Sequence, residues 1–230
     1  MKLRQGHVLR VGHRGAAALA PANSLAAIEA AIDLGVDLVE IDVLRDGDTL
    51  RVAHASADLT ADTPTLAEAL ELVSASTAGL LLDLKSVGAE PEVVAAIRGA
   101  GLLERSAVGS FHAGSLRALK EIEPSLTTGF SYPFDRVGLS TRRAAQPLIS
   151  AGLAGMRRLL PVRIVGMLGR ARADAAMLHW ALVSRSLVQR CHARGAAVLA
   201  WTVEDEAALR RVLAAGVDGV IANDPRLLGD

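Results

Sequence analysis

The chain has 230 residues, 51% of them apolar, with 25 basic and 25 acidic side chains and a formal net charge of zero. That length carries one large domain or two small ones, and the balanced charge excludes a global nucleic-acid-binding surface. A single cysteine, Cys191, excludes an intrachain disulfide and a cysteine zinc site; no apolar run of signal or spanning length occurs, so the expectation is a cytoplasmic protein.

Aromatic residues make up only 3% of the chain, leaving Ala, Leu, Val and Gly to fill a repeating α/β packing. Residues 8–12 form a short apolar run that ends at His13-Arg14-Gly15, a strand entering a loop. Asn23 or Ser24 caps a helix whose apolar face holds Leu25, Ile28, Ala31 and Ile32, and Gly35 stops it. Residues 37–43 read as a second strand carrying Glu40 and Asp42, which at i and i+2 point to one face. Asp46-Gly47 is a hairpin-type turn, and residues 49–54 return as an alternating segment ending at His54. After Pro64 a helix spans 65–73, followed by a strand over 79–85 in which Asp83 and Lys85 again share a face. A helix over 91–100, a strand over 106–111, a helix over 115–122 and a strand over 126–130 come next. The last elements are a strand over 173–179, a helix over 184–193, a strand over 196–203, a helix over 205–214 and a strand over 217–222. Strand followed by helix, eight times at this length, predicts a single-domain (β/α)8 TIM-type barrel. The alternative, an open doubly wound sheet, does not need polar residues to converge from its first and last strands alike.

The polar residues fall late in strands or just after them: His13, Arg14, Glu40, Asp42, Asp83 and Lys85, with Trp201 and Asn223 at the same level. That is the rim at which barrels of this kind carry function. Glu40 and Asp42 are flanked by Leu38-Val39 and by Ile41 and Val43, and a carboxylate inside a buried strand must be paired or coordinate a metal. Glu40, Asp42 and Asp83 together offer three hard oxygen donors suited to Mg²⁺ or Ca²⁺. With one dication, Arg14 and Lys85, the three carboxylates leave one positive charge, which matches a phosphodiester anion. Arg14 can grip phosphate through two N–H groups, Lys85 supplies a point charge, and His13 and His54 can divide the acid and base roles. A plain salt-bridge network at a barrel mouth would use the same residues.

His13-Arg14, Glu40-x-Asp42 and His54, in this order and spacing, resemble the glycerophosphodiester phosphodiesterases. Pro21-x-Asn23-Ser24, Leu66-x-Glu68-Ala69-Leu70, Leu82-Asp83-Leu84-Lys85, Ser110-Phe111, Ala200-Trp201-Thr202-Val203 and Gly216-Val217-Asp218-Gly219-Val220-Ile221 extend the likeness over nearly the whole chain except 131–173. The resemblance implies a TIM-type barrel, a divalent metal, and hydrolysis of small glycerophosphodiesters to sn-glycerol 3-phosphate and an alcohol. It implies metal binding by Glu40, Asp42 and Asp83, acid and base work by His13 and His54, phosphate contacts from Arg14 and Lys85, and a glycerol side lined by Phe111 and Trp201. Ala22 and Ala55 stand where the family carries carboxylates, the turn at Asp46-Gly47 is short, and Asp83 replaces a commoner Glu. A lysophospholipase D-like activity and a non-catalytic barrel binding a phosphorylated ligand stay open as alternatives at this point.

Residues 142–172 hold seven arginines and no acidic residue. The expectation is a basic loop-plus-helix cover within 131–173, steering anionic substrates rather than touching anionic membrane, because Gly152, Gly155, Pro161, Gly166 and Gly169 interrupt a long amphipathic helix.

Overall fold

The computed structural model describes residues 1–134 and 146–229. Strand β1 (Leu9–Gly12) pairs with β2 (Leu38–Asp46) on one side and, after the chain has gone once around, with β9 (Gly219–Ala222) on the other. Between them, all parallel, come β4 (Gly79–Leu84), β5 (Ser106–Ser110), β6 (Thr127–Tyr132), β7 (Ala175–His179) and β8 (Ala197–Trp201). The eight parallel strands therefore close into a barrel, and the open-sheet alternative falls away. Helices α1 (Leu25–Asp33), α2 (Leu66–Ser74), α3 (Glu90–Gly99), α4 (Ala113–Ile122), α5 (Gln146–Ala171), α6 (Arg185–His192) and α7 (Glu206–Ala215) lie between them. The barrel strands are largely buried on both faces because one face meets these helices and the other fills the barrel.

The interior packs Leu9, Val11, Leu38, Leu81, Met177, Leu199 and Ile221 with Leu3, which closes the base. Gly109 and Gly129 make room for Met177: a Cβ on either would stand 2.8 or 2.4 Å from its sulfur.

Two elements depart from the expectation. The return segment ends as a short antiparallel strand β3 (Thr49–Arg51) rather than running to His54. Beyond it the backbone turns to new partners, with Val52 N–H donating to the Pro64 carbonyl at 2.8 Å and Arg51 bridging to Thr65. His54 thus stands on a loop that folds back over the rim. The second departure is α5, one continuous helix of 26 residues with Pro161 inside it. Leu160, Pro161, Ile164 and Leu168 form a buried stripe packed against the region of α6, while Gly152, Gly155, Gly166 and Gly169 are exposed. Packing of that stripe outweighs the local cost of the proline, so the breakers do not break the helix. α5 descends the outside of the barrel from the rim to the start of β7. Arg142 and Arg143 lie outside the described residues. Among the described residues, no helix is long and apolar enough to cross a membrane.

The turn after β1 is the tightest point near the mouth. Gly15 has φ +80°, and a Cβ there would lie 2.4 Å from the Ala27 carbonyl carbon. Gly15→Ala is expected to cost about 3 kcal/mol, read as a lower urea midpoint at unchanged slope, because neither the dihedral nor the helix backbone can give way.

Candidate active site

Period-two alternation decides which side chains reach the mouth. β1 continues inward past Leu9 and Val11 to His13; β2 presents Leu38, Glu40 and Asp42; β4 presents Leu81, Asp83 and then Lys85; β8 ends on Trp201. Asp42 and Asp83 are register partners on neighbouring strands. Glu40, Asp42 and Asp83 are all buried, and one carboxylate oxygen from each lies within 4.8 Å of the other two.

Asp42 is the hub. Its Oδ1 is 2.7 Å from Lys85 Nζ, and its Oδ2 accepts from Asn23 Nδ2 at 3.0 Å and lies 3.1 Å from His54 Nδ1. Arg14 Nε stands 2.9 Å from the same oxygen as an ion pair, its N–H not aimed at it as a hydrogen bond requires. Burial works to raise the Asp42 pKa, but the His54 hydrogen bond and the charges of Lys85 and Arg14 win and hold it well below the usual carboxylate range. Lys85 also bonds Asp83; burial opposes its charge, but Asp83 and Asp42 together keep its pKa above the ordinary lysine value.

Glu40 has no such support. It accepts the Arg14 backbone N–H at 2.7 Å and faces His13 Nε2 at 4.0 Å. Burial, and then the charges of Asp42 and Asp83, push its pKa well above the normal range. Asp83 Oδ1 is buried with no hydrogen-bond partner. Two like charges at about 4 Å repel by roughly 4 kcal/mol at an effective dielectric of 20. The cluster is therefore short of positive charge on the side of Glu40 and the unpartnered Asp83 oxygen. A divalent cation held by these three carboxylates fits that deficit, and oxygen donors suit a hard ion.

The two imidazoles are held differently. His13 Nδ1 is 2.6 Å from Asn223 Oδ1, while Asn223 Nδ2 donates to Glu204 Oε1 at 3.0 Å. The Glu204 contact fixes the amide with its oxygen toward His13, so Nδ1 carries the proton and the Nε2 lone pair faces the carboxylates. Burial lowers the His13 pKa to about 4, against a smaller opposing effect of the Asn223 bond, so the ring is neutral near pH 7. His54 is more open, its side chain 46% exposed. Its Nδ1 lies 3.1 Å from both Asp42 Oδ2 and Arg14 Nη2, contacts that require opposite protonation; the ionised carboxylate makes the stronger demand, placing a proton on Nδ1.

Phe111 and Trp201 meet edge to face at 6.1 Å, and Lys85 Nζ sits 5.5 Å above the Phe111 ring. All nine residues singled out in the sequence for this site line one cavity of about 100 Å³, with Met177 and Ile221 among its walls. Two further roles emerge only from the structure. Ser24, not Asn23, caps α1, its hydroxyl accepting from Ala27 N–H. Asn23, at φ +62°, instead clamps Asp42 twice, giving its Nδ2 to the carboxylate and taking the Asp42 backbone N–H at 3.1 Å. Glu204 has the other, and nothing local in its sequence marks it. Ala22 and Ala55 leave the three-carboxylate cluster intact; the Ala55 N–H donates to Asp58 Oδ2 at 3.0 Å.

A model of the glycerophosphoryl diester phosphodiesterase family matches residues 13–58 and 83–227. The chain is 26% identical over 259 aligned positions to a glycerophosphodiester phosphodiesterase of Caldanaerobacter subterraneus subsp. tengcongensis, covering 96% of each. A glycerophosphodiester phosphodiesterase structure from Parabacteroides distasonis superposes with a TM-score of 0.75 at 18% identity, over 96% of this chain and 94% of the other. An Oleispira antarctica phosphodiesterase in complex with the product sn-glycerol-3-phosphate superposes with a TM-score of 0.70 at 23% identity, over 94% and 93%. At these identities the superpositions speak for the barrel.

Proposed function

The chain belongs to the glycerophosphoryl diester phosphodiesterase family, and from that premise we propose that it hydrolyses glycerophosphodiesters to sn-glycerol 3-phosphate and an alcohol through the residues gathered at the barrel mouth. The observation that carries the reading is the buried carboxylate triad, with one oxygen unpartnered, beside two cations and two imidazoles in a single cavity. Glu40, Asp42 and Asp83 would hold a Mg²⁺ or Ca²⁺ ion, which would supply the positive charge that stabilises the phosphoryl group as it reacts.

His13, neutral and with Nε2 free, takes the proton from the attacking oxygen. His54, half exposed and bonded to Asp42 through Nδ1, gives a proton to the departing alkoxide. Arg14 and Lys85, already anchored on Asp42, hold the phosphoryl oxygens, and Phe111 and Trp201 wall the organic part of the substrate beside them. Arg157, which donates to the Val183 carbonyl near the rim, and exposed Arg158 contribute steering charge for anionic diesters; Arg170 and Arg172 stand near the opposite end.

Incubation with sn-glycero-3-phosphocholine is expected to release glycerol 3-phosphate in the presence of Mg²⁺ or Ca²⁺, with the release abolished by EDTA and restored by the ion. No release with either ion, at concentrations that raise the melting temperature, overturns the reading.

A further inference from the structure

Two cavities adjoin the central site, each sharing Arg14 and His54 with it, and their chemistry differs. One, of about 360 Å³, lies past Ala22 and is walled by Asp58, Asp62 and the hydroxyls of Thr60 and Thr63. The other, of about 400 Å³, shares Arg14, His54, Lys85, Phe111 and Trp201 with the central site and continues over Pro133 and Phe134. In this second cavity the Phe111 ring lies 5.3 Å from Phe134 and 6.1 Å from Trp201, so three aromatic side chains form a continuous shelf leading out from the phosphate position. Phe134 at its outer end is 49% exposed. No carboxylate lines this cavity among the described residues, whereas two fixed cations do.

We propose that the aromatic shelf is a subsite for the leaving alcohol of the diester, and that it selects alcohols presenting an uncharged apolar surface over cationic amino alcohols. The inference rests on the hydrolase reading above. The leaving oxygen must lie beside its proton donor, and His54 lines this cavity while His13 does not. Once the phosphoryl group is held between Arg14 and Lys85, the alcohol extends over Phe111 toward Phe134. An alkyl or aryl group removes apolar area from water on both partners there. Asp42 and Asp83, which pair with Arg14 and Lys85, do not line this cavity, so among the described residues a quaternary ammonium finds no carboxylate there. The Phe111 ring is already engaged by the protein's own ammonium, Lys85 Nζ, at 5.5 Å, which removes much of its attraction for a second cation.

Binding to the metal-loaded chain, measured by calorimetry, tests this without turnover. Hexyl phosphate is expected to bind about tenfold tighter than ethyl phosphate, partial burial of four methylenes being sufficient. The uncharged isostere 3,3-dimethylbutyl phosphate is expected to bind about fivefold tighter than phosphocholine, which has the same shape and a positive charge. Phe134→Ala is expected to contract the hexyl-to-ethyl ratio about threefold, and Phe134→Leu to restore most of it; the ring is half in solvent, so the fold does not depend on it. Equal affinities for hexyl and ethyl phosphate, a ratio untouched by Phe134→Ala, or phosphocholine binding tighter than its isostere overturns the proposal. Failure to hydrolyse any diester strikes the hydrolase reading alone, because the affinity ratios need no chemistry.

Discussion

Glu40→Gln is expected to lower glycerol 3-phosphate release by about 10³-fold and yet to raise the melting temperature of the metal-free chain. The two effects have one cause. Glu40 is buried beside Asp42 and Asp83 with no cation of its own, and its ionised form is disfavoured by burial and by both neighbours. Glutamine keeps the shape and the acceptor for the Arg14 N–H, and its amide can donate to the unpartnered Asp83 oxygen. Removing the charge therefore relieves the metal-free fold, by about 1 kcal/mol on the scale of such substitutions. It also removes one of three ion ligands. In the wild-type chain a saturating ion adds about 2.7 kcal/mol at a hundred times its Kd, and this increment should be largely lost in the variant. Asp42→Asn, two residues along the same strand, should behave oppositely in stability. Asp42 is ion-paired to Lys85 and Arg14, and breaking a buried pair from one side costs about 3 kcal/mol. Thermal melts of both variants with and without EDTA, alongside the release assay, separate the cases. Loss of stability in metal-free Glu40→Gln with activity retained would mark the cluster as a structural ion-pair network.

That contrast was only half legible in the sequence. The barrel could be read because short runs rich in Val, Leu, Ile and Ala alternate with helical patterns, and the polar rim residues of β1, β2, β4 and β8 fall late in their runs. The i, i+2 spacing of Glu40 with Asp42 and of Asp83 with Lys85 placed them on one inward face, and the structure gathers them as one cluster. What could not be read depends on partners distant in sequence. Asn23 has the local signature of a helix cap, and only the approach of β2 turns it into a clamp on Asp42. Asn223 reaches a histidine 210 residues away, held in turn by Glu204. α5 defied its proline and glycines because Leu160, Ile164 and Leu168 find a core that no local pattern reveals.

His54→Ala is expected to slow release from sn-glycero-3-phosphoethanolamine by about 10³-fold but to slow a p-nitrophenyl diester of glycerol 3-phosphate far less, whereas His13→Ala should slow both alike. An ethanolamine alkoxide is a poor leaving group unless protonated as the bond breaks; p-nitrophenolate departs without help. The dependence on leaving group therefore identifies the acid. His54 lines the outer cavity toward the aromatic shelf, is half in solvent, and rests against the Asp42 carboxylate. His13 is set back, kept neutral by burial, and held through Nδ1 so that only a lone pair faces the site, which makes it a proton acceptor. The base acts on the attacking oxygen, which is the same whatever alcohol departs, so its loss cannot be rescued by a better leaving group. A larger rescue in His13→Ala than in His54→Ala would exchange the two roles and would place the departing alcohol on the Asn223 side of the mouth, away from Phe111 and Phe134.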